Sequence, residues 1–286
     1  MAKRIMTPYD CKDGREPMSW QKFAKIMFKL EDADPGYMLL ARANIKDDQK
    51  KRFMTAWCAF YNPGIAAAAS EYHGRYFWDY LRSEYPTAKR ASERRHFRGN
   101  AGLKAMDSWQ TMFPKPEAMV DHMTGSDYFV VAKKAKTVAL IGDYFVWKFA
   151  DVQERVFRLP CAFPDEAAAK SPKVPQQGAL LIAPEATVLH TYNRIARYLN
   201  DAGMKSPPWY DRPMNMQEAE TVCCVYKQYR NGKWCPYSRT AKATRSLLAK
   251  PSKTAEEMLS SLHAFTNVGR KEMDQWQQEV LAKLGH

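Results

Sequence analysis

The stretch GDYFVWKFADVQERV, residues 142–156, carries two interleaved series at one spacing. Phe145, Phe149, Val152 and Val156 recur at i, i+4, i+7 and i+11, and Tyr144, Lys148, Asp151 and Arg155 repeat that spacing one residue earlier. A strand alternates every second residue, so neither series fits one, and the stretch reads as a helix with an apolar stripe beside a polar one. Two readings of the polar stripe stand side by side. As an exposed face, Lys148 and Asp151 form an i,i+3 ion pair contributing about 0.2–0.5 kcal/mol. As the wall of a pocket, Asp151 could orient or deprotonate an amine while Lys148 binds an anion.

Helical spacing extends over most of the chain. Trp20, Phe23, Met27 and Leu30 form a stripe after Ser19, and Asp34-Pro35 suits the start of a second helix. Residues 50–59 read as a helix, interrupted at Asn62-Pro63-Gly64 before an alanine-rich helix. Leu103, Met106, Trp109 and Phe113 give another. FPKPEAMVDHM is a proline turn into a short helix, and helical patterns return from Glu185 and Met216. Thr254 with Glu257 has the capping-box spacing. TVALI, before Gly142, reads as a short helix ending in a turn. Strand signals are confined to YFVVAKK from Tyr128 and GALLIA from Gly178. The expected fold is all-α with at most a few short strands, in a single domain over 1–286. The Pro-, Ala- and Lys-rich segment 160–184 is expected to be a flexible loop or linker.

Bulk composition narrows the function. The 286 residues are 45% hydrophobic and 26% charged, which excludes disorder as the main state. A formal net charge of +13 favours a polyanionic partner, nucleic acid or an anionic membrane. No run approaches the ~20 apolar residues of a membrane span, and MAKRIMTPYD lacks the apolar core of a signal peptide, so a soluble cytosolic protein is expected. The six cysteines, Cys11, Cys58, Cys161, Cys223, Cys224 and Cys235, show no C-x-x-C spacing and read as reduced, mostly buried thiols.

Positive charge concentrates in YPTAKRASERRHFRGNAGLKAM, where Arg94, Arg95, His96 and Arg98 crowd against Gly99, with Lys89, Arg90 and Lys104 on either side. Arginine forks and the free N–H groups of a helix start both suit phosphate, of DNA or of pyrophosphate. A solvated basic face accounts for the same residues equally well. No Walker-type loop is present. In WCAFYNPG, Trp57, Tyr61 and Asn62 close a helix, where aromatics serve a core or stack on an unpaired base. In ETVCCVYK, Glu220, Cys224 and Lys227 share helical spacing, and Cys224 reads as a packed thiol.

In this order, DPGY at Asp34, WCAFYNPG, YPT with RRHFRGNAGLKAM, GDYFVWKFADVQERV and ETVCCVYK resemble a bacteriophage family. It comprises the alpha-glutamyl/putrescinyl thymine pyrophosphorylases, also described as amino acid:DNA transferases. The resemblance spans most of residues 30–245. It implies a helical fold distantly similar to helix-hairpin-helix DNA glycosylases, although the glycine-rich hairpin of that fold is reduced here to LIGDY around Gly142. It also implies a reaction in which an amino acid or polyamine displaces pyrophosphate from 5-(pyrophosphoryloxymethyl)uracil in double-stranded phage DNA, in the cytoplasm of the infected host and without a membrane partner.

On that reading Arg94, Arg95, His96, Arg98, Gly99 and Lys104 hold pyrophosphate or DNA phosphate, a step compatible with Mg2+ assistance although no residue is assigned to a metal. Asp151 and Lys148 line the amine pocket as the catalytic pair, Asp151 accepting the amine proton. Trp57, Tyr61, Asn62, Tyr144, Trp147, Glu220 and Lys227 form the base or substrate pocket, to which the target base is flipped. A DNA glycosylase and a non-catalytic DNA-binding protein are the rival expectations.

Overall fold

A computed structural model describes residues 18–88, 94, 96–234 and 238–269. In chain order the helices are α1 (Trp20–Lys29), α2 (Pro35–Arg42), α3 (Asp47–Phe60), α4 (Pro63–Ser70), α5 (Gly74–Glu84), α6 (Gly99–Met112) and α7 (Glu117–Met123). They continue as α8 (Tyr128–Ala135), α9 (Asp143–Phe157), α10 (Lys173–Ile182), α11 (Val188–Asp201), α12 (Met216–Arg230), α13 (Ser238–Leu248) and α14 (Lys253–Gly269), with a 3-10 turn at Asp165–Lys170 before α10. Among the described residues there is no strand, only isolated bridges between Asp127 and Ala162 and between Lys205 and Pro213. The fold is all-α.

Two compact units divide the chain. One comprises residues 1–35, 168–241 and 265–286, the other residues 36–167 and 242–264. In the first, α10 and α12 pack with their backbones in contact: a Cβ added to Gly178 would lie 1.9 Å from the carbonyl oxygen of Cys223. Only glycine permits that approach. Thr191, Tyr192, Ile195 and Leu199 form the buried stripe of α11. From α1, Phe23 stacks on Tyr229 of α12 at 5.4 Å and meets Trp234 edge-on at 4.9 Å. The start of α12 is fixed by a capping box between Asn215 and Glu218. Glu218, fully buried, also accepts from Arg212 at 3.0 Å and from Ser206 at 2.8 Å.

In the second unit α3 is buried along nearly its whole length from Arg52 to Phe60. Next to it, α4 comes so near residue 246 that a Cβ on Gly64 would lie 1.9 Å from the Ser246 carbonyl oxygen. On α9, every residue from Phe145 to Val156 is buried except Glu154.

Several expectations are corrected. Segment YFVVAKK is helix α8, because the Asp127 carboxylate accepts from the N–H groups of Phe129 and Val130 and caps a helix start. The run GALLIA belongs to α10, and much of the expected linker is helical and packed against α12. Residues 137–141 are turn, with Trp109 and Arg94 taking the carbonyls of Ala139 and Leu140. Ser252, not Thr254, caps α14, receiving the Ala255 N–H at 3.1 Å. Thr254 instead donates to Glu71 and meets Ser70, each at 2.8 Å.

Just beyond α1, the wholly buried Asp32 accepts on Oδ1 from both the N–H and the hydroxyl of Thr240 at 2.8 Å, tying the end of α1 to the start of α13. Its Oδ2 has no partner, and burial pushes its carboxyl up to about 6 despite those hydrogen bonds.

Two stability predictions follow from these contacts. Gly178→Ala should lower stability by about 2 kcal/mol or more, since overpacking against backbone outweighs the roughly 1 kcal/mol gain in helix propensity. Gly142→Ala, with nothing within 4 Å of the added methyl, should change it by less than about 0.5 kcal/mol. Denaturant unfolding of the two variants measures the difference. Asp32 holds in the folded state a proton that the unfolded chain releases, so its stabilising effect is full below pH 3.8 and is lost as pH rises through about 6. Asp32→Asn should therefore gain on wild type by about 2–3 kcal/mol between pH 4 and pH 7 in parallel urea titrations.

Candidate active site

The basic stretch divides by direction. His96, Arg98, Gly99 and Lys104 are exposed, whereas Arg94 is 5% exposed. Arg95, with Lys89 and Arg90, lies outside the described residues. Gly99 opens α6 with a φ of +53°, in the region that favours glycine, and no side chain caps that helix start. Tyr85 donates to the Gly99 carbonyl at 2.8 Å. Gly102 leaves room for the same Tyr85 hydroxyl, which a Cβ would meet at 2.1 Å. The outward side thus offers cations at the positive end of a helix dipole.

Arg94 turns inward. Its Nη1 donates to the Leu140 carbonyl at 3.0 Å, and its guanidinium lies 4.7 Å from the ring centres of both Phe97 and Phe145. Burial lowers it to about 10, which leaves it charged at neutral pH. The neighbouring Cys58 thiol is pushed up to about 12 by burial and stays neutral.

From Phe145 a series of ring contacts runs through this unit. Phe145 meets Trp57 at 5.8 Å and Tyr61 at 6.1 Å. Trp57 stacks on Tyr61 at 4.2 Å and meets Tyr37 edge-on at 5.8 Å. The hydroxyls of Tyr61 and Tyr144 are 3.1 Å apart, both residues being half-buried. Tyr61 is the left-handed C-cap of α3, so the chain reverses there into α4 while the ring lies back on Trp57 one turn earlier.

At the end of the series, Tyr37 donates to Asp151 Oδ2 at 2.6 Å, and Arg155 Nε donates to Oδ1 at 2.5 Å. Lys148, Asp151 and Arg155 are each no more than 3% exposed, which overturns the reading of this stripe as an exposed face. Arg155 is the charged partner one turn on, where sequence spacing singled out Lys148.

Arg94, Trp57, Tyr61, Tyr144 and Asp151 are therefore brought together in one unit. Asn62 stands beside them as a cap, its Oδ1 accepting from the Ile65 N–H at 3.0 Å and the Ser246 hydroxyl at 2.7 Å. Trp147 packs elsewhere, against Tyr128 at 5.3 Å and Phe163 at 5.1 Å. Glu220 and Lys227 sit on α12, in the other unit. Glu220 is buried and accepts from the Thr221 hydroxyl at 3.3 Å. Lys227 donates to Gln177. Cys58, Cys161, Cys223 and Cys224 form no disulfide with one another; burial pushes Cys161 up to about 12 and Cys223 well above its ordinary range. Cys11 and Cys235 lie outside the described residues.

Sequence reasoning passed over Tyr37, although it closes the DPGY motif, and it placed Arg155 on the functional face without a role. Phe97 and Leu140, which position Arg94, carried no signal beyond apolarity.

Comparison with known proteins bears on these residues. Residues 16–233 match the family described as amino acid:DNA transferase. A glycinyltransferase of Pseudomonas phage PaMx11 is 28% identical over 287 aligned residues, covering 88% of this chain and 98% of that protein. A putrescinyltransferase of Delftia phage PhiW-14 is 26% identical, covering 76% of this chain and 74% of that protein.

The buried pair sets a stability test. Removing one partner strands a charge, so Arg155→Leu should cost about 3–5 kcal/mol, whereas Arg155→Leu with Asp151→Leu should recover most of that loss. Chemical denaturation of the two variants distinguishes this from independent packing contributions, which would add.

Proposed function

Because this chain belongs to the amino acid:DNA transferase family, we propose that it hypermodifies phage DNA, joining an amino acid or polyamine to 5-(pyrophosphoryloxymethyl)uracil with release of pyrophosphate. Its relatives are named for glycinyl and putrescinyl transfer, and both names denote donors with a primary amine. The observation that carries the reading is the continuous series from Arg94 through Phe145, Tyr61, Trp57 and Tyr37 to Asp151. It provides aromatic faces for a base between a cation and a carboxylate.

The chemistry assigned to these groups is a displacement. The neutral amine nitrogen attacks the methylene carbon, a C–N bond forms, and the C–O bond breaks with its electron pair leaving on pyrophosphate. The nitrogen reaches that neutral state by shedding a proton from the donor's ammonium before it attacks. Asp151 receives it, since Arg155 and Tyr37 occupy two of the roughly four acceptor positions of a carboxylate. Arg98, Lys104 and the open N–H groups of α6 face the leaving group's growing charge. Trp57, Tyr61 and Tyr144 receive the flipped base. Lys148 completes the anion-binding side of the buried stripe. Glu220 and Lys227, on α12 in the other unit, are given no role in this step. No helix of the described residues is long and apolar enough to cross a membrane, in keeping with DNA in the infected host's cytoplasm as the target.

DNA containing 5-(pyrophosphoryloxymethyl)uracil, incubated with donors and digested to nucleosides, should yield a thymidine derivative heavier by the donor. An abasic site would mark a glycosylase instead. Asp151→Asn keeps the shape and removes the base, so transfer at neutral pH should fall about a hundredfold or more and recover in part as pH rises and more amine is already deprotonated. Wild-type transfer by Asp151→Asn would remove Asp151 from the acceptor role.

A further inference from the structure

A buried guanidinium normally has a counter-charge, because one left alone in a dry interior costs several kcal/mol. Among the described residues Arg94 has none. Its one hydrogen bond among them goes to a neutral carbonyl, that of Leu140, while Nε and Nη2 are both buried without a hydrogen-bond partner there. Those two atoms are not an arbitrary pair. Their N–H bonds project in parallel from one edge of the guanidinium plane, the edge that grips two oxygens of a single anion. The remaining nitrogen is the one held in place by Leu140. The guanidinium carbon lies over the rings of Phe97 and of Phe145, each at 4.7 Å, so the fork is dry.

The charge balance selects the anion. One positive charge between two phenyl rings is neutralised by one negative charge, as on a carboxylate. Pyrophosphate carries more, and burying its excess charge here would be unfavourable. The exposed Arg98 and Lys104 suit it better. Phe145, under the guanidinium, also touches Tyr61, whose hydroxyl pairs with Tyr144. A group held by the fork therefore lies beside the aromatic wall assigned above to the base.

We infer that the Nε/Nη2 edge of Arg94 binds the carboxylate of the amine donor, and that this chain accordingly transfers an amino acid in preference to a polyamine. The inference rests on the transferase reading above and adds the class of donor to it. The fork is closed over, so the side chains around it part as the donor enters.

The test presents the full-length protein and 5-(pyrophosphoryloxymethyl)uracil DNA with an equimolar mixture of the twenty amino acids, and separately with putrescine. Nucleoside mass reads the adduct. An amino acid adduct is expected. The amino acid incorporated should outcompete its own decarboxylated amine by about a hundredfold, as two charge-assisted hydrogen bonds allow. Arg94→Lys keeps the charge and loses the fork. It should raise KM for the amino acid by a similar factor over any change in KM for the decarboxylated amine, so the ratio of the two is the readout.

Equal use of the decarboxylated amine or of putrescine by the wild type overturns the inference, and that measurement needs no variant to fold. So does an Arg94→Lys effect on pyrophosphate inhibition with KM for the amino acid unmoved. If no amine is transferred at all, the transferase chemistry fails rather than the fork. Calorimetric titration with each amino acid then decides Arg94: binding that Arg94→Lys abolishes supports the site, and no binding to the wild type ends it.

Discussion

An ion pair enclosed within a helix that is itself enclosed governs the second unit. Asp151 and Arg155 sit on α9 with almost no solvent, and such a pair is tolerated only where geometry and extra hydrogen bonds offset the loss of hydration. Tyr37 supplies one of those bonds from α2, which fixes α2 against α9. The ring of Tyr37 then meets Trp57, so α3 is placed by the same network. Apolar packing alone would leave these three helices free to adjust in rotation, whereas a carboxylate with two defined donors does not.

The same economy appears where backbones touch. Gly178 against Cys223 and Gly64 against Ser246 each replace a side-chain layer with direct helix contact, and each fixes axial register as well as distance. In the second unit this register matters to the site. Gly64 lies three residues beyond Tyr61, and its own N–H donates to the Ser246 hydroxyl oxygen at 3.1 Å. That hydroxyl also donates to Asn62, the cap that starts α4 directly after Tyr61. The turn presenting Tyr61 is thus anchored from both its cap and its following helix.

The helices were legible wherever an apolar stripe met a polar one, as in α1, α3, α6 and α9. The failures have specific causes. In YFVVAKK the β-branched residues suggested a strand, but Asp127 immediately before them caps two N–H groups, and a cap decides short segments that propensity leaves balanced. GALLIA carried a strand signal, yet it is helix, and its Gly178 serves the close approach to Cys223. At the site, the spacing placed Tyr144, Lys148, Asp151 and Arg155 on one face correctly. It could not say that the face is buried, since a charged stripe reads as solvent-facing until a partner such as Tyr37, far off in sequence, is seen to cover it. The basic run posed the converse problem. Its members look alike in sequence, and only the fold separates the inward Arg94 from the outward Arg98 and Lys104.

Backbone conformation adds an independent argument for where this unit does its work. A non-glycine residue in the left-handed region costs about 1–2 kcal/mol, and the described part of the second unit holds three, at Tyr61, Leu140 and Arg158. Two of the three belong to the candidate site. Tyr61 adopts φ +52° at a helix end where glycine would fit without cost, and it stacks on Trp57 while pairing with Tyr144. Leu140 adopts φ +58° in the turn before α9, and its carbonyl is the one that holds Arg94. Strain of this kind persists only when the surroundings over-determine it, and it clusters where a side chain or carbonyl must point somewhere that relaxed backbone would not send it. Here one strained residue sets its own ring 6.1 Å from Phe145, and the carbonyl of the other holds the guanidinium that lies 4.7 Å from the same ring. Both distortions fit the proposal that the aromatic wall and the arginine fork serve one function, since each aims a ring or a carbonyl where relaxed backbone would not.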